Sequence, residues 1–148
     1  MSNNPIFNLV AILAHLNVKD AIVAPGSRNA PLSIALSRHP DITIHSVPEE
    51  RSAAYIAMGC AQETEMPVVL VTTSGTAALN VAPAVAETFY QKIPLIIVTA
   101  DRPPEWIGQL DGQSIEQNGI FKNYIKGEFF IQTDLTHKDA LWHMERLT

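Results

Sequence analysis

A single cysteine, Cys60, stands in 148 residues. It leaves no internal disulfide framework and points to a reducing compartment. Charge is scarce too: 17% of the residues are charged, which suits a fold whose central strands are buried on both faces. Ten basic against fifteen acidic residues give a net charge of -5, which argues against broad binding of nucleic acid or anionic membrane. No basic segment followed by an apolar run opens the chain, so no signal peptide is expected. The longest apolar stretch, "IPLIIVTA", is too short to span a bilayer. The expectation is a soluble, cytoplasmic protein with no transmembrane segment and no nucleic-acid partner.

Familiar chemical motifs are missing as well. No G-x-G-x-x-G follows a strand, and G-x-x-x-x-G-K, H-E-x-x-H and G-x-S-x-G do not occur. The usual dinucleotide, nucleoside-triphosphate, zinc-protease and serine-hydrolase readings fall away. His15, His39, His45, His137 and His143 share no metal-ligand spacing, so no metal site is expected among them. His45 lies near a strand end without an evident partner.

What is present is a regular alternation. Hydrophobic residues make up 47% of the chain, enough for one domain with a real core. "NPIFNLVAILAHLN" has a helical period, "DAIVAP" is a short strand, "APLSIALSRH" a helix and "DITIHSV" a strand. "EERSAAYIAMGCAQET" reads as a helix and "PVVLVTT" as a buried strand. "SGTAALNVAPAVAETFYQ" is predicted as a helix, with Ser74 as its N-cap and Pro83 as a kink. "IPLIIVTA" is another buried strand, and residues 101–119 form a long loop with one helical turn. "YIKGEFFIQ" is predicted as a further strand and "THKDALWHMERLT" as the start of a helix. The implied fold is α/β: a doubly wound, mostly parallel central sheet with helices on both faces.

In such sheets ligands sit beyond the carboxyl ends of the strands. The distinctive polar sequences fall there: "APGSRN", "PEER", "TTSGTAALN" and "ADRPPE", each after a different strand. Taken one residue at a time, they have ordinary explanations. Glu49 and Glu50 suit the first turn of a helix through its dipole. Pro25, Gly26, Gly75, Thr76 and Asn80 suit turns and caps. Arg28 and Arg102 could sit in surface ion pairs, Arg102 with Asp101 or Glu105.

Together, in this order, the loops resemble the pyrimidine-binding domain of thiamin-diphosphate enzymes. More narrowly, they are similar to the 2-succinyl-5-enolpyruvyl-6-hydroxy-3-cyclohexene-1-carboxylate synthase family of menaquinone biosynthesis, across essentially the whole chain. The resemblance implies that Glu50 hydrogen-bonds the ring nitrogen of the cofactor's aminopyrimidine and drives the proton exchange that activates thiamin diphosphate. A carboxyl in that role works best with its pKa raised toward neutrality, as burial achieves. Pro25, Gly26, Gly75, Thr76 and Asn80 are implied as further cofactor contacts. Ser27, Arg28, Arg102 and Gln113 are implied as substrate contacts, since the family's substrates, 2-oxoglutarate and isochorismate, are dicarboxylates and guanidinium groups bind carboxylates in bidentate fashion. Glu49, where the family often has aspartate, keeps a helix-start role.

The same resemblance places the diphosphate and its magnesium (or manganese) ion on a second domain with a Gly-Asp-Gly motif, which this sequence lacks. "LDGQS" is not that motif. The expectation is therefore that residues 1–148 are a pyrimidine-binding domain from the N-terminal part of a longer, homo-oligomeric (dimeric or tetrameric) transferase, and are inactive alone. Two other readings remain open. One is a domain of another thiamin-diphosphate decarboxylase or acetolactate-type synthase; the other is a non-catalytic doubly wound binding module.

Overall fold

The computed structural model describes residues 4–131 together with Thr136, Asp139 and Trp142. Four strands, β1 (Asp20–Val23), β2 (Thr43–Ser46), β3 (Val68–Thr72) and β4 (Leu95–Thr99), form one sheet in the order β2-β1-β3-β4. All three pairings are parallel, with Ala21 opposite Ile44 and Val69, and Val69 opposite Ile96. Parallel neighbours need crossover connections, and helices supply them.

Helix α1 (Pro5–His15) precedes the sheet, and α2 (Ala30–Ser37), α3 (Glu50–Thr64) and the pair α4 (Thr76–Asn80) and α5 (Ala82–Gln91) make the crossovers. Val10, Leu13, Leu32, Ala35 and Leu36 of α1 and α2 pack with Ala21, Val23, Val69 and Val71 on one face. Ala53, Ala54, Ala57 and Ala61 of α3 pack with Val85, Ile22, Val68 and Leu70 on the other. Every residue of β3 is buried, which explains its unbroken apolar run. Each fully buried Val or Leu contributes about 1.5–3 kcal/mol of transfer free energy. The expected doubly wound α/β architecture is present, with helices on both faces of an all-parallel sheet.

Several local expectations change. The helix predicted over 74–91 is two helices that meet at Val81, because Pro83 has no amide to donate and its ring crowds the preceding turn. Gly75, not Ser74, is the N-cap of α4, and it makes no side-chain cap; Ser74 is buried instead. Residues 124–131 form no strand. That segment is held as a loop, with Glu128 accepting from the Gly119 amide at 3.1 and 3.0 Å and Tyr124 against Phe89 and Tyr90. Gln132 and most of the helix predicted from Thr136 onward lie outside the described residues. The helical turn expected in the long loop is a 3-10 turn at Pro104–Trp106. His45 does have a partner: its Nε2 lies 2.8 Å from Asp20 Oδ1, between neighbouring strands.

No helix among the described residues is long and apolar enough to cross a membrane.

Candidate functional site

Because all strands run the same way, the four loops after them gather at one edge. The chain passes from β1 to β2 on one side of β1 and returns to place β3 on the other. The crevice of such a sheet lies at that reversal, between the ends of β1 and β3.

The two loops flanking it are in contact. A Cβ on Gly26 would stand 2.5 Å from the Thr73 Cβ, so the glycine already has a reason within the chain. Asn29 fixes the same loop from below. It is fully buried, accepts from the Gly26 amide at 2.8 Å and donates to the Ala24 carbonyl at 2.8 Å. Pro25, Ser27 and Arg28 are left exposed at the rim.

Glu49 and Glu50 part company at the start of α3. Glu49 is the N-cap residue, accepting from the Ser52 amide and hydroxyl, both at 2.7 Å, and from the Arg51 amide at 3.1 Å. The Ser52 hydroxyl and the two amides hold its carboxyl below the ordinary value. Glu50 turns elsewhere. It is half-buried, and its Oε2 accepts from Asn80 Nδ2 at 3.1 Å. Glu50 follows β2 and Asn80 closes α4 after β3, so the contact joins two loops whose strands are separated by β1. Among the described residues, Glu50 Oε1 makes no hydrogen bond.

The long loop after β4 folds back over the strand ends. Gly75 has φ +80°, and a Cβ there would stand 1.9 Å from the Gln113 carbonyl oxygen. Gln113 itself is exposed with φ 64°. Gln117, which the sequence reading missed, is buried and ties three points together. Its Oε1 accepts from the Gly75 amide, and its Nε2 donates to Thr99 Oγ1 at 3.3 Å and the Ala100 carbonyl at 3.0 Å.

The two arginines differ in their surroundings. Arg102 Nη2 donates to the Gly112 carbonyl at 3.1 Å and lies 3.4 Å from Asp111 Oδ2, so its partner is neither Asp101 nor Glu105. The Arg102 Nε is buried without a partner among the described residues. Asp101 accepts from the Arg102 amide at 2.7 Å. Burial pushes the Asp101 carboxyl up, that amide opposes the shift, and the charge of Glu116 adds to it. Arg28 stands 5.7 Å over the Trp106 ring, and a depression of about 350 Å³ beside it is lined by Glu105, Trp106, Gln109 and Asp111.

The residues fit one half of a thiamin-diphosphate site. A half-buried carboxylate stands at the carboxyl edge of the sheet, and an asparagine orients one of its oxygens. Among the described residues no three His, Cys, Asp or Glu side chains cluster to hold a metal.

The sequence profile of the family described as thiamine pyrophosphate enzyme, N-terminal TPP binding domain, matches residues 7–128. The chain is also similar to curated 2-succinyl-5-enolpyruvyl-6-hydroxy-3-cyclohexene-1-carboxylate synthases. That of Cytophaga hutchinsonii is 48% identical over 141 residues, covering 95% of this chain and 25% of the relative. That of Bacteroides fragilis is 44% identical over 142 residues, covering 96% and 25%. That of Christiangramia forsetii is 49% identical over 118 residues, covering 80% and 20%. The chain thus spans about a quarter of the length of these relatives.

Proposed function

Because this chain belongs to the family of N-terminal TPP-binding domains of thiamine pyrophosphate enzymes, we propose that it is the pyrimidine-binding domain of a menaquinone-pathway synthase. That enzyme decarboxylates 2-oxoglutarate and adds the resulting four-carbon unit to isochorismate. The reading of the reaction rests on the similarity to the named synthases. The observation that carries the cofactor assignment is the Glu50–Asn80 pair at the carboxyl edge of the sheet.

Each residue has a task in this reading. Glu50 holds a proton at the cofactor's pyrimidine nitrogen through Oε1, while Asn80 fixes the rotamer by binding Oε2. Gly26 and Gly75 keep the crevice walls close to the backbone, with Pro25 and Thr76 beside them. Arg28, with Ser27 next to it, and Arg102, with Gln113 on the loop that latches it, receive the substrate carboxylates. Bound thiamin diphosphate supplies the carbanion chemistry, and the protein supplies position and electrostatics. Magnesium (or manganese) and the diphosphate are held by a partner domain, and the working unit is a homo-oligomer. Residues 1–148 alone release no carbon dioxide from 2-oxoglutarate.

The test uses the whole gene product, with thiamin diphosphate and magnesium. Glu50→Gln is expected to slow exchange of the thiazolium C2 proton with deuterium, followed by NMR, by at least the ~10²-fold typical of a lost acid–base group. Exchange at the wild-type rate would remove Glu50 from the mechanism. Carbon dioxide release from 2-oxoglutarate, dependent on isochorismate for product, identifies the reaction; release from pyruvate instead would replace it with an acetolactate-type activity.

A further inference from the structure

The two arginines at the rim are held in place by different chemistry. Arg102 gives an Nη2 donor to Asp111 and the Gly112 carbonyl. Arg28 forms no ion pair or hydrogen bond among the described residues; what holds its guanidinium is the face of Trp106, 5.7 Å away. A carboxylate neighbour would occupy guanidinium donors and cancel the charge. An aromatic face attracts the cation through its quadrupole and leaves all five N–H groups available.

Both sides of the contact are rigid at the backbone. Asn29 pins the loop that carries Arg28 at Ala24 and Gly26, and Gly26 is locked against Thr73. Trp106 closes a 3-10 turn whose start is stiffened by Pro103 and Pro104, with the Trp106 amide donating to the Pro103 carbonyl at 2.9 Å. The Arg28 side chain remains to be ordered, and arginine is among the costlier side chains to order. The Trp106 ring is the group that the Arg28 guanidinium meets.

We propose that Trp106 is a positioning residue, which orders Arg28 as a receptor for one carboxylate of a dicarboxylate substrate without taking up its donors. The proposal rests on the substrate role given to Arg28 above. It assigns a task to an indole that is 47% exposed and so does little for the core.

The experiment measures equilibrium binding of succinate, a non-reacting dicarboxylate analogue of 2-oxoglutarate, to the whole gene product by calorimetry. Four proteins are compared: wild type, Arg28→Ala, Trp106→Leu and Trp106→Phe. Trp106→Leu is expected to weaken binding roughly two- to fivefold, the size of an exposed cation–π contact, and Trp106→Phe to recover most of the loss. Arg28→Ala should weaken it more than either, and equal melting temperatures exclude unfolding as the cause. In turnover the Trp106→Leu effect falls on KM and leaves kcat unchanged. If Arg28→Ala weakens binding while Trp106→Leu matches wild type, the positioning role is overturned and the substrate role stands. If Arg28→Ala itself binds normally, the substrate role fails first. If Trp106→Phe is as weak as Trp106→Leu, the aromatic face is not what orders Arg28.

Discussion

At the scale of single residues, the site edge is built from polar atoms whose partners lie far away in sequence. Gln117 reaches back 42 positions to the Gly75 amide, and no local pattern announces such a contact. Gln117→Leu leaves that buried amide unsatisfied and should lower stability by about 1–3 kcal/mol, read as a fall in the urea midpoint. Gly75→Ala should cost more, since it combines φ +80° with a Cβ inside the Gln113 carbonyl. A smaller loss for Gly75→Ala than for Gln117→Leu would contradict the close approach of the two loops.

Two acids on this edge respond to pH in opposite directions. The Glu49 carboxyl is held below its ordinary value of 4.5, so its contribution is complete above that value and disappears as pH falls through the folded value. The Asp101 carboxyl is raised above its ordinary 3.8, so it favours the folded state at low pH and loses that effect as pH rises through the folded value. Glu49→Gln should flatten the acid-side rise of the urea midpoint with pH. Asp101→Asn should remove the decline just above pH 3.8, and identical profiles for all three proteins would refute both assignments.

Among the elements, α3 was legible as the helix "EERSAAYIAMGCAQET", and its alanines at 53, 54, 57 and 61 are fully buried. Glu49 was legible as a helix-start acid; that it is the N-cap, with the Ser52 hydroxyl contact that sharpens it, was not. Gly59 sits in the middle of this helix with open space where a Cβ would go. Gly59→Ala should therefore raise stability by about 1 kcal/mol through backbone propensity alone, measured by chemical unfolding. A lowered midpoint would mean that this helix face is not open. The strand expected over 124–132 shows the limit of pattern reading. Apolar residues there met the composition of a strand, but Phe129 and Phe130 remain 63% and 73% exposed and the backbone pairs with no strand among the described residues. A strand is completed by its partners, and a sequence window does not contain them.

For the molecule as a whole, the alternation of buried strands and helices was enough to give the parallel sheet and the gathering of "APGSRN", "PEER", "TTSGTAALN" and "ADRPPE" at one edge. The order β2-β1-β3-β4 was not readable, because hydrophobic period fixes which face is buried and not which strand is adjacent. That order has a kinetic consequence. The first strand made becomes an inner one, and its pairing with β3 must wait until α2, β2 and α3 have been threaded between them. Closing that loop is the entropically expensive event, and sheets of this kind fold slowly for that reason. Weakening the β1–β3 seam by Ile22→Val should slow refolding in stopped-flow experiments, whereas Ile97→Val in β4, at the edge of the sheet among the described residues, should mainly quicken unfolding. Until β3 arrives, β1 has one flank open, and this nascent edge is where chains of this protein would pair with one another in a crowded refolding mixture.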